Sequence, residues 1–160
     1  MSSSVAPKGY TDRLTVKAAV LNDDGQVLLF GHFLLGGGVE KDEGLERALK
    51  RECLEEAGVL IDHLVPIGIV IQYRDALKKR YEIHGFRAHF VEKISEPTTT
   101  DEAEKKRTTV WMTLSEAKEN LQKRIEEIEM IGNQDPASDQ YQAQLFNTMT
   151  SLAFLQEIQK

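Results

Sequence analysis

The segment from residue 52 to residue 56 carries three glutamates, Glu52, Glu55 and Glu56, at spacings of three and four positions. If this segment is a helix, the three carboxylates share one face and continue an apolar stripe from the preceding turns. Carboxylates that follow a core-facing stripe are partly desolvated, so they must either take up protons or bind a cation. Oxygen ligands favour hard ions, and the pattern therefore predicts a Mg²⁺ site, with Mn²⁺ as the alternative.

Three consecutive glycines, residues 36–38, precede this acidic segment. Because they lack side chains, their backbone can approach a ligand closely or adopt positive φ angles. A solvated helix surface is the usual explanation of an acidic run, and it stays open as the alternative. Taken together, the glycines and the carboxylates predict that a phosphate group is held between the backbone and a metal ion.

The spacing of these residues matches a known signature: Gly37, five residues, Glu43, seven residues, and then the run of residues 51–59. This stretch resembles the Nudix box, and every fixed position of that box is present. The resemblance implies an α/β fold, a Nudix-like α/β/α sandwich with a central mixed β-sheet. The length of the chain suits one compact domain, so we expect residues 1–160 to form a single Nudix-like hydrolase domain.

The resemblance also implies roles for the residues of the box. The expected ligands of the divalent metal are Glu52, Glu55, Glu56 and the carbonyl group of Gly37. Glu43 and Arg51 are expected to form a structural salt bridge that fixes the glycine loop onto the helix. Glu40 lies two positions after the glycines and is placed to brace the same loop.

Catalysis in this interpretation needs a carboxylate that accepts a proton from the attacking water. Glu55 and Glu56 are the leading candidates for this general base. Some members of the family use a glutamate from the loop before the late strand, which here indicates Glu102 or Glu104. A solvated loop is the simpler interpretation of both of these residues.

The reaction that the resemblance implies is the Mg²⁺-dependent hydrolysis of a nucleoside diphosphate linked to another group, X. A MutT-like nucleoside triphosphate pyrophosphohydrolase, acting on oxidised purine nucleotides, is the first choice. A non-catalytic nucleotide-binding sensor is the alternative from another class, although such a protein is expected to lose some of the carboxylates. An RNA 5′-end pyrophosphohydrolase is disfavoured, because the chain lacks a continuous basic stripe.

Residues outside the box are candidates for substrate binding. They are Tyr73, Arg80, His84 and Phe86, together with Glu102 and Glu104. For Phe86, packing in the core is at least as good an interpretation as stacking on a base. Two basic clusters, residues 78–80 and 105–107, each precede a predicted strand and form either a positive rim for an anionic substrate or ordinary solvated loops.

The chain departs from the usual pattern just before and within the box. His32 and Leu35 stand where an aromatic residue and a proline are common, and Asp42 replaces a glycine. Aspartate tolerates turn conformations, so Asp42 need not disrupt the loop. His32 could serve as a ligand or an acid, but a packed or hydrogen-bonded histidine is the commoner situation near the end of a strand.

Composition narrows the class of partner. The net charge of −6 argues against a general affinity for nucleic acids or anionic membranes, so we expect a nucleotide-type small molecule and neither DNA nor membrane. The first residues lack the apolar core of a signal peptide and no stretch is long enough to span a bilayer, which predicts a cytoplasmic protein. Cys53 is the only cysteine and is predicted to be a buried core residue.

Hydrophobic patterning predicts the elements that position these residues. The expected strands are residues 15–21, 27–30, 66–73, 81–91 and 108–112, with a tight turn at residues 22–25 and with Trp111 packing the last strand. The expected helices are residues 44–57, 114–131 and 139–158, with a loop at residues 132–136. The apolar face of the last helix is buried either internally or against a second copy, so a homodimer is possible.

Overall fold

The computed structural model describes residues 7–132 and 139–158. The strands are β1 (Thr11–Leu21), β2 (Gln26–Phe30), β3 (Leu35–Gly38), β4 (Val59–Arg74), β5 (Lys79–Lys93) and β6 (Thr109–Thr113). The helices are α1 (Leu45–Ala57), α2 (Glu102–Lys105), α3 (Leu114–Gly132) and α4 (Asp139–Ile158). The loop predicted at residues 132–136 falls outside the described residues, apart from its first position, which ends α3.

The strands form one mixed sheet in the order β4-β5-β1-β2-β6, and β3 also pairs with β1. The pairing of β1 with β5 is parallel, and the other pairings are antiparallel. Leu49 and Cys53 of α1 pack on one face of the sheet, and residues of α3 and α4 such as Leu121 and Leu155 pack on the other. The predicted α/β/α arrangement with a central mixed sheet is therefore confirmed.

The turn between β1 and β2 is built by Asn22 and Gly25. The side-chain oxygen of Asn22 accepts hydrogen bonds from the backbone N–H groups of Asp24 and Gln26, at 3.0 and 2.9 Å. Gly25 has a φ of 76°, a left-handed conformation that glycine adopts without steric cost. These local contacts explain why residues 22–25 were predicted correctly from sequence as a tight reversal.

Helix ends are also set by local chemistry. Gly58 ends α1 with a φ of 67°, and its N–H donates to the carbonyl group of Leu54 at 2.9 Å. At the start of α3, Thr113 and Glu116 exchange backbone-to-side-chain hydrogen bonds, both of 3.1 Å. This is the capping box that their spacing predicts.

Three elements differ from the predictions. The glycine run is the short strand β3 rather than a loop, because backbone pairing with β1 needs no side chains. β4 begins at Val59 rather than at Pro66, and the irregular pairing between Pro66 and Gly68 accommodates the proline in this edge strand. α2 is a single helical turn within the predicted loop before β6.

None of the helices in the described part of the chain is long and apolar enough to cross a membrane. α4 buries Leu145, Leu152 and Leu155 against the sheet and α3, so much of its apolar face is covered internally. Met149 on the same helix is 46% exposed.

Candidate active site

Arg51 organises the acidic face of α1. Its Nη1 donates to Oε1 of Glu52 at 3.0 Å and to Oε2 of Glu55 at 3.4 Å, so one nitrogen bridges the two carboxylates. Burial raises the pKa of Glu52, while Arg51 opposes this shift. Because a guanidinium group lies between the two carboxylates, its positive charge offsets the repulsion expected between neighbouring glutamates.

Arg51 also ties the helix to the chain that precedes it. Its Nε and Nη2 donate to the two carboxylate oxygens of Glu43 at 2.8 and 2.9 Å, and Nη2 also donates to the carbonyl group of Gly38 at 2.9 Å. The pKa of Glu43 falls to about 2, first because of Arg51 and then because the backbone N–H of Glu40 donates to it. The salt bridge implied by the Nudix resemblance is thus present. The Glu40 side chain lies 3.8 Å from Nη1 of Arg51 and is largely exposed.

Glu56 occupies a different environment from the other two glutamates. It is 2% exposed, and its Oε1 accepts a hydrogen bond from the backbone N–H of Gly36 at 2.8 Å. Burial raises its pKa to about 8, against the opposing effects of Lys17 and of the Gly36 N–H. The hydrogen bond between Glu56 and Gly36 therefore connects α1 to the glycine strand β3.

A cleft of about 380 Å³ lies beside the acidic helix. Its lining consists of Gly37, Gly38, Glu52, Glu55, Thr98, Thr99, Thr100, Asp101 and Glu104. Residues 98–100 are three threonines that we call the threonine loop. The backbone N–H groups of Thr98 and Thr99 donate to the carbonyl group of Glu55 at 2.8 and 3.1 Å, and these hydrogen bonds hold the threonine loop against the end of α1. Carboxylates from two parts of the chain and the backbone of two glycines therefore face one space.

The two loop glutamates have different positions. Glu104 lines the cleft and accepts a hydrogen bond from the hydroxyl group of Thr99. Asp101 caps the short helix α2 by accepting from the backbone N–H of Glu104 at 3.0 Å. Glu102 is exposed, pairs with Lys105 at 3.1 Å and is not among the residues that line the cleft.

Residues 11–131, about three-quarters of the chain, match the family description "NUDIX domain". The chain belongs to the Nudix family. Similar solved structures include a MutT Nudix hydrolase from Burkholderia pseudomallei, with 24% identity over 66% of this chain and 85% of that chain and a TM-score of 0.54. A Nudix hydrolase from Nitrosomonas europaea has 21% identity over 69% and 78% of the two chains, with a TM-score of 0.58.

The ORF135 protein of E. coli is similar as well, with 21% identity over 71% of this chain and 82% of that chain and a TM-score of 0.55. At these identities the structural likeness supports the fold. Comparison with curated protein sequences gives no match. The Nudix hydrolase assignment therefore depends on the family match to residues 11–131.

The chemistry of the donors at this Nudix site fits a hard divalent cation. Within residues 7–132 and 139–158, no three His, Cys, Asp or Glu side chains are already arranged around a point that could hold a metal. In the described structure Arg51 engages Glu52 and Glu55, and an oxygen of Glu56 accepts a hydrogen bond from Gly36. All of these donors are oxygen atoms, which hard divalent cations prefer. Burial raises the pKa of both Glu52 and Glu56. A cation bound nearby would lower these pKa values again, because its positive charge favours the ionised carboxylates.

The substrate-binding candidates on β4 and β5 share one sheet face. His84 pairs with Val16 of β1, and Val16 pairs with Gly37 of β3, so His84 lies two strands from the glycine run, or about 10 Å by the usual strand spacing. His84 contacts Glu82 at 2.8 Å, and Nη1 of Arg80 lies 3.7 Å from Glu82. Tyr73 is opposite Arg80 in the pairing of β4 with β5.

Phe86 is a correction to the predicted substrate-binding set. It is 6% exposed and packs in the core between the sheet and α1, so its ring is unavailable for stacking on a base. Trp111 packs edge-on against Phe90 with ring centroids 5.1 Å apart, as predicted for the last strand. Cys53 is buried, which raises the pKa of its thiol. His32 is exposed and contacts the side-chain oxygen of Asn120 at 3.3 Å.

Sequence reasoning missed the threonine loop and two cations on β1. Arg13 places its guanidinium over Gly38, where a β-carbon would lie 2.2 Å from Nη2. Lys17 lies in the centre of β1 and donates from Nζ to the carbonyl group of Leu34 at 3.3 Å. The available signal was the isolated charge of Lys17 in a strand of apolar residues, but its position beside the acidic helix depends on the pairing of β1 with β3.

Proposed function

We propose that this Nudix protein hydrolyses nucleoside diphosphates linked to a further group, with Mg²⁺ as cofactor and Mn²⁺ as the alternative. Nucleoside triphosphates, including oxidised purine nucleotides, are the substrates of first choice. The observation that carries the proposal is the cleft in which Glu52, Glu55 and Glu104 face the backbone of Gly37 and Gly38. Oxygen donors grouped beside a glycine strand suit a metal–phosphate complex.

In this proposal, Glu52, Glu55, Glu56 and the carbonyl group of Gly37 hold the ion. When bound, a divalent cation neutralises phosphate charge and acts as a Lewis acid toward the diphosphate. Arg51 keeps the carboxylates of Glu52 and Glu55 close to each other before the ion binds, and its bonds to Glu43 fix the helix relative to the glycine strand. The chain thereby holds its donors near their working positions.

Exposure distinguishes between the two glutamates predicted as general base. The side chain of Glu55 is 42% exposed and lines the cleft, whereas Glu56 is buried and bonded to Gly36. A general base must reach the attacking water within hydrogen-bonding distance. Glu55 is therefore our first candidate to accept the proton, and Glu104 is the second because it lines the same cleft.

The deciding experiment is a screen of nucleoside triphosphates, oxidised purine nucleotides and nucleoside diphosphate derivatives with Mg²⁺ and Mn²⁺. Release of phosphate, pyrophosphate and nucleoside monophosphate is measured for the wild type, Glu55→Gln and Glu56→Gln. We expect each variant to lose roughly a hundredfold or more in kcat while remaining folded. The matched control is Glu46→Gln, an exposed position on the same helix, which should keep wild-type activity.

Unchanged turnover in both variants would refute the assignment of these glutamates. Saturable nucleotide binding without product, in either metal, would instead support the sensor alternative. The cytoplasmic location and the possible homodimer stay predictions.

A further inference from the structure

Lys17 is a partly buried cation on β1, where it pairs with Gly36, the glycine whose N–H donates to Glu56 of α1 at 2.8 Å. Apart from its hydrogen bond to the carbonyl group of Leu34, its Nζ forms no ion pair within the described residues. Burial lowers the pKa of Lys17, while the negative charges of Glu56, Glu52 and Glu104 raise it. The ammonium group therefore lies near these carboxylates, yet donors on it remain unused.

Arg107, the last residue of the basic cluster 105–107, turns inward rather than toward solvent. Its Cζ lies 4.8 Å from the ring centroid of Phe33 and 5.5 Å from that of Phe30, and its side chain covers Gly31. No carboxylate or carbonyl group in the described chain accepts a hydrogen bond from this guanidinium. A guanidinium that stacks on a ring keeps the N–H groups at its edges available for a planar, two-point contact with an oxyanion.

The two cations meet at Phe33. Nζ of Lys17 is 5.9 Å from the ring centroid that Arg107 covers, and the charge of Arg107 contributes to lowering the pKa of Lys17. Two like charges around one ring repel each other, and neither is paired directly with a protein carboxylate in the part that the structure describes. An anion with several oxygen atoms would relieve this repulsion and accept the unused donors.

We propose that Lys17 and Arg107, held on Phe33, form a subsite that binds phosphate groups of the substrate. The inference rests on the proposed function, because it places these groups beside the carboxylates that would hold the metal. It also explains how a chain with a net charge of −6 retains a polyanion: the positive charge is local. The ligand class is a diphosphate or triphosphate. Of two adjacent phosphate groups, one would bind the metal and the other would bind Lys17 and Arg107.

The test measures binding of inorganic pyrophosphate to the full chain in EDTA by calorimetry, at low and moderate salt. Arg107→Gln and Lys17→Gln should each weaken binding about tenfold or more, because a charge-assisted contact is lost. Arg107→Lys should bind pyrophosphate more weakly than the wild type and more tightly than Arg107→Gln, since lysine keeps the positive charge but lacks the planar guanidinium group. Lys123→Gln is the matched control: it removes the same charge from an exposed position on α3 and should change binding less than about twofold.

Steady-state kinetics then give a second readout: KM should rise in Arg107→Gln by more than kcat falls. Wild-type protein that fails to bind pyrophosphate, or an Arg107→Gln variant that binds it as well as wild type, would overturn the subsite. If Lys17→Gln does not fold, Arg107→Gln decides the question alone. Pyrophosphate binding without any turnover would count against the proposed hydrolysis while leaving the subsite supported.

Discussion

The carboxylate of Glu52 fills the space in which Gly37 has no side chain. A β-carbon at position 37 would lie 2.6 Å from both Cδ and Oε1 of Glu52, closer than atoms can approach. The Glu52 carboxylate can therefore occupy this position only while residue 37 has no side chain. The neighbouring Gly36 is restricted differently, since a β-carbon there would lie 2.0 Å from the backbone oxygen of Val16.

Gly37→Ala should consequently displace Glu52 and weaken both metal binding and hydrolysis by about tenfold or more, at a stability cost of about 1–3 kcal/mol for overpacking. Calorimetric titration with Mg²⁺ and Mn²⁺, kinetics and urea unfolding measure the three effects. Gly44→Ala is the control, because nothing lies within 4 Å of a β-carbon at position 44. Wild-type metal affinity in Gly37→Ala would show that the placement of Glu52 beside Gly37 has no role in binding.

Arg51→Lys should destabilise the protein by about 2–3 kcal/mol, because a lysine cannot make the paired contacts to Glu43 while also reaching Gly38 and Glu52. The side chain of Glu43 is only 8% exposed, so its lost partner is not replaced fully by water. Urea unfolding measures the change. Arg124→Lys, which alters the surface contact with Glu127 at 3.3 Å, should cost less than about 1 kcal/mol. Equal losses in the two variants would contradict the structural role of Arg51.

The metal-free protein should lose stability as pH rises, through Glu56. Burial raises the folded-state pKa of Glu56 from 4.5 to about 8, in surroundings that include Lys17, Glu52, Glu104 and the Gly36 N–H. Between these values the folded state holds a proton that the unfolded chain has released, so this contribution is complete below about pH 4.5 and falls until about pH 8.

Glu56→Gln keeps the shape and removes the titration, and it should therefore become more stable relative to wild type as pH rises over this window. Thermal unfolding in EDTA at several pH values gives the comparison. Two curves that run parallel across the window would show that Glu56 does not carry the raised pKa. Metal should also bind the wild type more tightly at higher pH, since binding has to displace the proton.

Gly58→Ala should destabilise the protein by more than about 3 kcal/mol, since it combines backbone strain with a steric clash. Gly58 has a φ of 67°, and a β-carbon there would lie 1.8 Å from the carbonyl oxygen of Ser95. Gly25→Ala separates the two causes, because its φ is 76° and its surroundings are open; it should cost only about 1–2 kcal/mol. The loss of unfolding free energy in Gly58→Ala minus the loss in Gly25→Ala measures the cost of the clash. Equal losses would show that the backbone conformation alone causes the destabilisation.

Features whose causes are local were predictable from sequence. The turn at Asn22, the capping box of Thr113 and Glu116 and the glycine end of α1 depend on hydrogen bonds within a few residues of each other. The box spacing belongs to this group as well, because one helix and the short loop before it fix the relation between Glu43 and Arg51. Short-range geometry of this kind is already specified by residue order.

Other features were decided by strand pairing between distant parts of the chain. The alternation of β5 placed His84 and Phe86 on one face, but only the packing of α1 buried Phe86 in the core while leaving His84 outside it. Glu104 and Glu102 belong to the same short helix, and the contact of the threonine loop with the carbonyl group of Glu55 brought only Glu104 to the cleft.

The sequence by itself therefore determined the acidic face of α1, through the spacing of its glutamates, and it indicated the family and the mixed sheet between helices through the resemblance of residues 37–59 to the Nudix box. Tertiary structure alone decided which carboxylates are buried, which face the cleft, and which cations stand beside them. Lys17 illustrates the difference: its isolated charge is visible in the sequence, but its nearness to Phe33 and Arg107 comes from segments up to 90 residues apart along the chain. Burial and electrostatic interactions act through space, and residue order does not specify the distances between segments that only folding brings together.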